Sequence, residues 1–136
     1  MRTLVTLLVL SGTTCLAQQP VTENNTTGGM NNGYLWEKGI PEVKQLYVSG
    51  IADGVFLQSV VAASKTGATN PPDASLYPKG VLIVDIVQGI DAFYSDRTNM
   101  KVPILFSYLY VLTKIRGASQ QELDAMAARF RRQANQ

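Results

Sequence analysis

The chain has 136 residues, of which 12 are basic, 10 are acidic and none is histidine, and its only cysteine is Cys15. Residues 18–136 therefore lack the groups needed for histidine-based catalysis, thiol chemistry and ordinary zinc or iron sites. The near balance of charge gives no reason to expect nucleic acid or a charged membrane surface as a partner. Nucleotide-binding and calcium-binding loop spacings are also absent from the sequence, so no cofactor is expected.

Residues 1–17 have the three parts of a secretory signal peptide. Arg2 supplies the positive start, residues 4–10 the apolar stretch, and Cys15–Ala17 a cleavage site of the small-x-small type. The apolar stretch is far shorter than the ~20 residues that cross a bilayer. We therefore expect a periplasmic or secreted bacterial protein that begins at Gln18 and has no transmembrane segment after cleavage.

Residues 18–33 are polar, rich in Asn, Thr and Gly, and show no periodicity, which predicts a disordered leader before a single domain of residues 34–136. That domain is predicted to be all-α, a compact bundle of four main helices preceded by a short helix. Pro41 marks a helix start, and Ser119 with Glu122 forms a capping box. The predicted elements are a short helix at 34–38, a helix at 41–63, a loop at 66–78, and helices at 79–95, 103–117 and 119–133.

Hydrophobic periodicity supports the helical assignment of the third segment. Its apolar residues fall on one helical face, while the opposite face is polar. The apolar face consists of Leu82, Ile83, Ile86, Val87, Ile90, Phe93 and Tyr94. A buried strand would explain Val81–Val84 equally well, but not the apolar spacing that continues through Ile90 to Tyr94.

The stretch from Gly50 to Gly54, Gly-Ile-Ala-Asp-Gly, fits two structures. An Asp-Gly pair between apolar residues is a hairpin signal, but apolar residues continue from 42 to 63 around most of a helical circumference. This pattern predicts a central, buried helix with Asp53 inside an apolar sector. A buried carboxylate must be paired, so we expect a polar anchor between Asp53 and Lys114, Arg116 or a tyrosine hydroxyl; a ligand-binding acid is the alternative.

The two glycines of this stretch suggest close packing. Gly50 and Gly54 are four residues apart and share a helical face, which would allow another helix to approach, with Gly89 as the facing residue. An interior glycine costs about 1 kcal/mol relative to alanine, so a packing reason is expected.

The fourth helix carries two aromatic residues away from its predicted core face. That face consists of Ile104, Leu105, Tyr108, Leu109, Leu112 and Ile115. Phe106 and Tyr110 point elsewhere. Either the first or the last helix covers them, or they form an exposed aromatic patch of the type that marks an interface.

Hydrolysis by a pair of carboxylates is the enzymatic chemistry that the composition still allows, since it needs only two acids at the right separation. Glu37 lies beside Trp36, where an aromatic neighbour could favour a protonated acid. Asp85 and Asp91 fall on or beside the polar face of the third helix and are expected to be solvated. No second catalytic group accompanies Glu37, so no residue is assigned a catalytic role.

Two runs of residues carry a family resemblance. The first, N-G-x-x-W followed by K-x-x-Y-V-x-G-x-x-D-G, consists of Asn32, Gly33, Trp36, Lys44, Tyr47, Val48, Gly50, Asp53 and Gly54. The second consists of Gly89, Asp91, Phe93, Tyr94, Asn99, Pro103, Lys114 and Gly117. Together they resemble a group of small exported bacterial proteins to which no activity is attached, over nearly all of residues 32–132.

The Y-V-x-G-x-x-D-G block is also similar to the helical immunity proteins that neutralise type VI secretion amidases in the periplasm, the Tai type. This resemblance implies a helical fold, which favours a helical structure at Gly50–Gly54, and a protein partner. Those proteins typically carry cysteines, which residues 18–136 lack.

The sequence as a whole predicts a non-catalytic, exported protein-binding module, monomeric or homodimeric, that acts without a cofactor on another protein. One alternative is an immunity or inhibitor protein that fills the cleft of an enzyme with a loop such as 66–78. The other is a carboxylate-dependent cell-wall hydrolase.

Overall fold

The computed structural model describes residues 25–66 and 80–136. It is 76% helical, which confirms the all-α prediction. The elements of these two ranges are strands β1 (Thr26–Thr27) and β2 (Met30–Asn31), helices α1 (Gly33–Lys38), α2 (Pro41–Lys65), α3 (Ile83–Ser95), α4 (Ile104–Ile115) and α5 (Gln120–Ala134), and a 3-10 turn at Arg97–Asn99. The predicted signal peptide, the start of the leader and the loop from 67 to 78 lie outside the described residues.

The ends of the helices follow from local hydrogen bonding. The predicted capping box opens α5, since the Glu122 carboxylate accepts from the Ser119 backbone N–H at 2.8 Å and the Ser119 hydroxyl accepts from the Glu122 N–H at 3.3 Å. Pro41 lies in the first turn of α2, as predicted. Gly117 ends α4 in the left-handed region at φ 89°, where a side chain would be strained.

Residues 26–31, within the segment that the sequence predicts to be disordered, instead form an ordered hairpin, and Gly33 begins α1. Gly28 and Gly29 have φ values of 56° and 78°, as the two central residues of a tight hairpin turn require. The hairpin is fixed to the loop after α3, because the Thr27 hydroxyl donates to the carbonyl of Lys101 at 2.6 Å. The polar composition that predicted disorder thus supplies the hydrogen bonds that order this segment.

The core is centred on the packing of α3 against α4, with α5 and part of α2 around them. The buried stripe of α3 matches the prediction: Ile86, Val87, Ile90, Phe93 and Tyr94. Leu82 precedes the helix and is 61% exposed. On α4 the buried face is rotated relative to the prediction, toward Ser107 and Val111, which leaves Leu105 and Leu109 exposed.

The predicted burial of α2 is wrong. This helix has 25 residues and lies mainly on α3, which has 13. At 1.5 Å per residue the lengths are about 37 and about 20 Å, so α3 can cover only part of α2 on one side. Only Val48 and Ala63 are buried in α2. Its apolar outer side chains are between 44% and 72% exposed: Val43, Leu46, Phe56, Leu57 and Val61.

Candidate functional site

The predicted buried anchor at Asp53 does not exist. Asp53 lies five residues after the buried Val48, on the far side of α2, and both Asp53 and Lys114 are exposed. Within residues 25–66 and 80–136 the ion pairs are Lys44–Asp91, Arg97–Glu37 and Arg131–Asp96, and neither Asp53 nor Lys114 takes part. The prediction failed because Asp53 has apolar neighbours along α2 but lies on an exposed side of that helix.

Of the three glycines predicted to allow a close helix approach, one has such a contact among the described residues, and not with the predicted partner. A Cβ on Gly89 would lie 2.6 Å from Cγ1 of Val111, so this glycine does allow a close helix approach, but α4 is the neighbour. A Cβ on Gly50 or Gly54 would meet nothing within 4 Å. These two glycines therefore have no packing role inside the described part of the chain.

The aromatic pair of α4 is covered, so the predicted interface at Phe106 and Tyr110 is wrong. Phe106 stacks on Phe130 of α5, with ring centroids 4.9 Å apart. Tyr110 packs against Phe93 of α3 at 4.8 Å. Both side chains are partly buried against the core, as the alternative of coverage by a neighbouring helix anticipated.

An apolar groove lies where α1 meets the start of α2, and we call it the α1–α2 groove. Its volume is about 420 Å³. Its apolar walls consist of Leu35, Trp36, Ile40, Val43, Tyr47 and Ile104, and Lys38 and Lys44 also line it. Trp36 is 4% exposed and meets Tyr47 edge to face, with centroids 6.3 Å apart.

A polar bridge behind the groove fixes its aromatic wall. One carboxylate oxygen of Asp91 on α3 accepts from the indole N–H of Trp36 and from the Lys44 ammonium, each at 2.7 Å. The Lys44 ammonium also lies 5.3 Å from the centroid of the Trp36 ring, in cation–π range. Asp91 therefore joins α1, α2 and α3 at one atom, although the sequence predicts only a solvated surface acid. Helical periodicity could not reveal these contacts, because Trp36 and Lys44 lie 55 and 47 residues before Asp91 in the sequence.

A smaller pocket of about 210 Å³ brings two acids together, Glu37 and Asp91. Each carboxylate is paired with a cation, Glu37 with Arg97 at 2.7 Å and Asp91 with Lys44 at 2.7 Å. Acid catalysts of glycoside hydrolysis obtain a protonated carboxyl from an apolar setting. The ion pairs found here instead favour a structural role for both acids.

Two further acids, Asp85 in the first turn of α3 and Asp96 just after its end, cap local structure. The Asp85 carboxylate accepts from the backbone N–H of Leu82 at 2.8 Å. Hydrogen bonds from the Thr98 hydroxyl and backbone N–H lower the pKa of Asp96, which accepts both. Across the described residues, no group of three metal-ligating side chains is positioned to hold a metal ion.

Helix α2 is the one helix among the described residues that is long and apolar enough to cross a membrane, by length and composition alone. Only 11% of its most apolar 18-residue stretch is buried. The core helix of a soluble protein can be equally long and apolar, but most of it is buried, and α2 differs in this respect. An apolar helix face that the described residues leave uncovered is the kind of surface that marks an interaction site.

Comparison with protein-family models finds no match for this chain, and comparisons with curated proteins and with solved structures find none at a significant level. The fold and the groove define a small all-α protein with an apolar concave surface whose aromatic wall is rigidly held.

Proposed function

We propose that this chain is an exported, non-catalytic protein-binding module that receives an apolar side chain of another protein in the α1–α2 groove. The observation that carries the proposal is the groove itself, whose volume of about 420 Å³ lies within the ~300–1,000 Å³ typical of binding sites. Export is supported by the signal-peptide pattern of residues 1–17.

The groove is suited to binding because its walls are fixed before a partner arrives. The Asp91 carboxylate holds Trp36, and Gly33 at the start of α1 donates its N–H to the Met100 carbonyl at 3.0 Å. A Cβ on Gly33 would lie 2.6 Å from the ring of Tyr94, so α1 is closely seated on α3. Preorganised walls reduce the entropy lost on binding.

The chemistry of the lining describes the occupant. Apolar walls select an aliphatic or aromatic anchor residue, the kind that carries most of the energy in protein interfaces. The Lys38 ammonium donates to Asn25 Oδ1 at 3.2 Å and remains exposed, so it can also meet a carbonyl or carboxylate next to the anchor. The groove therefore fits a partner that presents an apolar anchor residue with a hydrogen-bond acceptor beside it.

The amidase-immunity function is the specific form of this proposal that the resemblance favours. Tyr47 of the Y-V-x-G-x-x-D-G block lines the groove, while Gly50, Asp53 and Gly54 lie exposed further along α2. In this form the partner is a secreted cell-wall amidase. The groove would then take up an anchor residue from beside the enzyme's active-site cleft.

The test uses two matched substitutions, Ile40→Asp and Leu82→Asp. Ile40 and Leu82 occupy the N-cap positions of α2 and α3, are 60% and 61% exposed, and make no side-chain capping bond. Aspartate is a preferred N-cap residue, worth about 0.5–2 kcal/mol relative to alanine, so both variants should remain folded. Only Ile40 lines the groove.

Residues 18–136 are immobilised and exposed to the periplasmic and secreted proteins of the source bacterium. We expect a protein that is retained by the wild type and by Leu82→Asp and lost with Ile40→Asp. If the retained protein is a cell-wall amidase, and adding the wild-type chain inhibits it, the result supports the immunity form of the proposal. Equal retention by Ile40→Asp and Leu82→Asp would contradict the proposal.

A further inference from the structure

The outer side of α2 carries a continuous apolar stripe that the described part of the chain leaves uncovered. The stripe, which we call the outer stripe, consists of Val43, Leu46, Gly50, Gly54, Leu57 and Val61. Its steps of three and four residues keep it on one side of a helix. Its four large side chains are between 44% and 72% exposed, and both glycines face open space.

The order of residues along this stripe is the same in both directions. It is Val, Leu, Gly, Gly, Leu, Val, and its members are placed almost symmetrically about Ala52. The glycines lie two residues to either side of Ala52, the leucines six and five, and the valines nine. A two-fold axis requires one surface to complement itself, which is the property that this order supplies.

We propose that α2 pairs with α2 of a second copy, antiparallel, about a two-fold axis at Ala52. In this arrangement Gly50 lies against Gly54 of the copy, Val43 lies level with Val61, and the leucines pack beside one another. This surface is separate from the protein-binding proposal, although Val43 lies at the edge of both.

The glycines provide the second argument. Glycine inside a helix costs about 1 kcal/mol relative to alanine, and Gly89 shows what offsets that cost, a close helix contact. Gly50 and Gly54 have no such contact within the described residues. Pairing with a second copy supplies it, because two glycines facing two glycines allow the helix axes to approach to the short end of the usual ~8–10 Å range.

Charge selects the antiparallel arrangement and a protein partner. Antiparallel packing opposes the helix dipoles and sets the Glu42 end of one α2 beside the Lys65 end of the other, whereas parallel packing would place like ends together. Asp53 lies at the edge of the stripe near the middle of α2. A carboxylate at the centre of a bilayer costs about 2.5–3.5 kcal/mol, which disfavours lipid as the covering medium.

The size of the seam sets the expected strength. A helix of 25 residues is about 37 Å long, and a contact strip roughly 10–12 Å wide gives about 740–890 Å² in total over both copies. Specific interfaces begin near 1,000 Å², so the dimer is a weak one. We expect a Kd in the micromolar range, weakened further by repulsion between the two Asp53 carboxylates, which lie on the same face of the helix pair.

The first test is sedimentation equilibrium of residues 18–136 across the micromolar range. Gly50→Leu should abolish the dimer by filling the seam, while raising helix propensity in open space, so loss of folding is not expected. Gln45→Leu adds the same side chain at an exposed position off the stripe and should leave the dimer intact. Asp53→Asn should tighten it. A monomer at all concentrations, or a dimer that survives Gly50→Leu, would overturn the proposal.

The second test fixes the geometry with single cysteines, which residues 18–136 otherwise lack. Two copies of Val43 would be about 27 Å apart along an antiparallel pair, far beyond the ~4.4–6.8 Å that a disulfide spans. Mild oxidation should therefore crosslink a mixture of Val43→Cys and Val61→Cys chains and neither variant alone. Crosslinking of Val43→Cys with itself would indicate a parallel pair and contradict the proposal. The chain is also mixed with phosphatidylglycerol–phosphatidylcholine vesicles. If it cosediments with them, and Gly50→Leu cosediments equally, lipid covers the outer stripe and the proposal is contradicted.

Discussion

Replacing Gly89 and Gly50 by alanine in separate variants is expected to change stability in opposite directions. Both glycines are inside helices, so each alanine gains about 1 kcal/mol of helix propensity. At Gly89 the new methyl group would lie 2.6 and 3.0 Å from the two Cγ atoms of Val111, distances at which something must move. Val111 is β-branched and buried, so it has no easy alternative rotamer.

Overpacking of a filled core costs about 1–3 kcal/mol. After the gain of about 1 kcal/mol in helix propensity is subtracted, Gly89→Ala should lower the free energy of unfolding by up to about 2 kcal/mol. Gly50→Ala meets nothing within 4 Å and should gain about 1 kcal/mol. Urea denaturation followed by far-UV circular dichroism, at protein concentrations that keep the chain monomeric, measures both values. The variants should differ by about 1–3 kcal/mol.

A third variant identifies the cause of the loss. Val111→Ala removes the two methyl groups that the new Cβ would strike, so the combined variant should lose less stability than the sum of the single changes, by about 1 kcal/mol. If Gly89→Ala and Gly50→Ala stabilise the chain equally, the close contact of α3 with α4 is wrong. If the single losses add without coupling, its assignment to Val111 is wrong.

Three further outcomes are expected. Asp91→Ala should cost about 2 kcal/mol in urea denaturation by leaving the buried indole N–H of Trp36 without its acceptor, and Asp91→Asn should cost less because an amide oxygen still accepts. Hydrogen bonds from the backbone N–H and hydroxyl of Ser119 lower the pKa of Glu122 below its ordinary 4.5. The ionised carboxylate of this cap therefore stabilises the fold above pH 4.5, and that stabilisation is lost as the pH falls through the lowered pKa. The melting temperatures of wild type and Glu122→Gln should accordingly differ at pH 7 and converge near pH 2. Burial raises the pKa of Tyr94 above its ordinary 10.0, and its hydroxyl donates to a backbone carbonyl at 2.8 Å, so Tyr94→Phe should remove one of the late steps of an alkaline ultraviolet titration; loss of a step near the ordinary value instead would contradict that burial.

The sequence predicted what depends on neighbours along the chain. The capping box at Ser119 and the buried stripe of α3 follow from spacings of three and four residues, and both are confirmed. The prediction for α2 failed because its inner and outer sides are both apolar. Hydropathy then indicates that a helix must be covered without saying what covers it. Asp53 was assigned to the core for the same reason.

The candidate site depended on contacts that no local pattern contains. The Asp91 carboxylate reaches Trp36 across 55 residues, and an acid on the polar side of an amphipathic helix normally needs no such partner. The hairpin before α1 was missed for a related reason. Its Gly-Gly pair is a recognised turn signal, but the residues on either side are polar and lack the apolar alternation that marks strands.

Trp36 is the only tryptophan of the chain, and it forms the wall of the groove while its indole N–H is bound to Asp91. Excited beyond the absorption of its tyrosines, the unlabelled protein therefore emits from a single ring at the site where a partner is proposed to bind. Because that ring is only 4% exposed, its emission starts at short wavelength, and an occupant that pulls the indole from Asp91 into water should shift the emission to longer wavelength. Screening of candidate partners thus needs no added fluorophore, and each binding event reports how the groove responds to it.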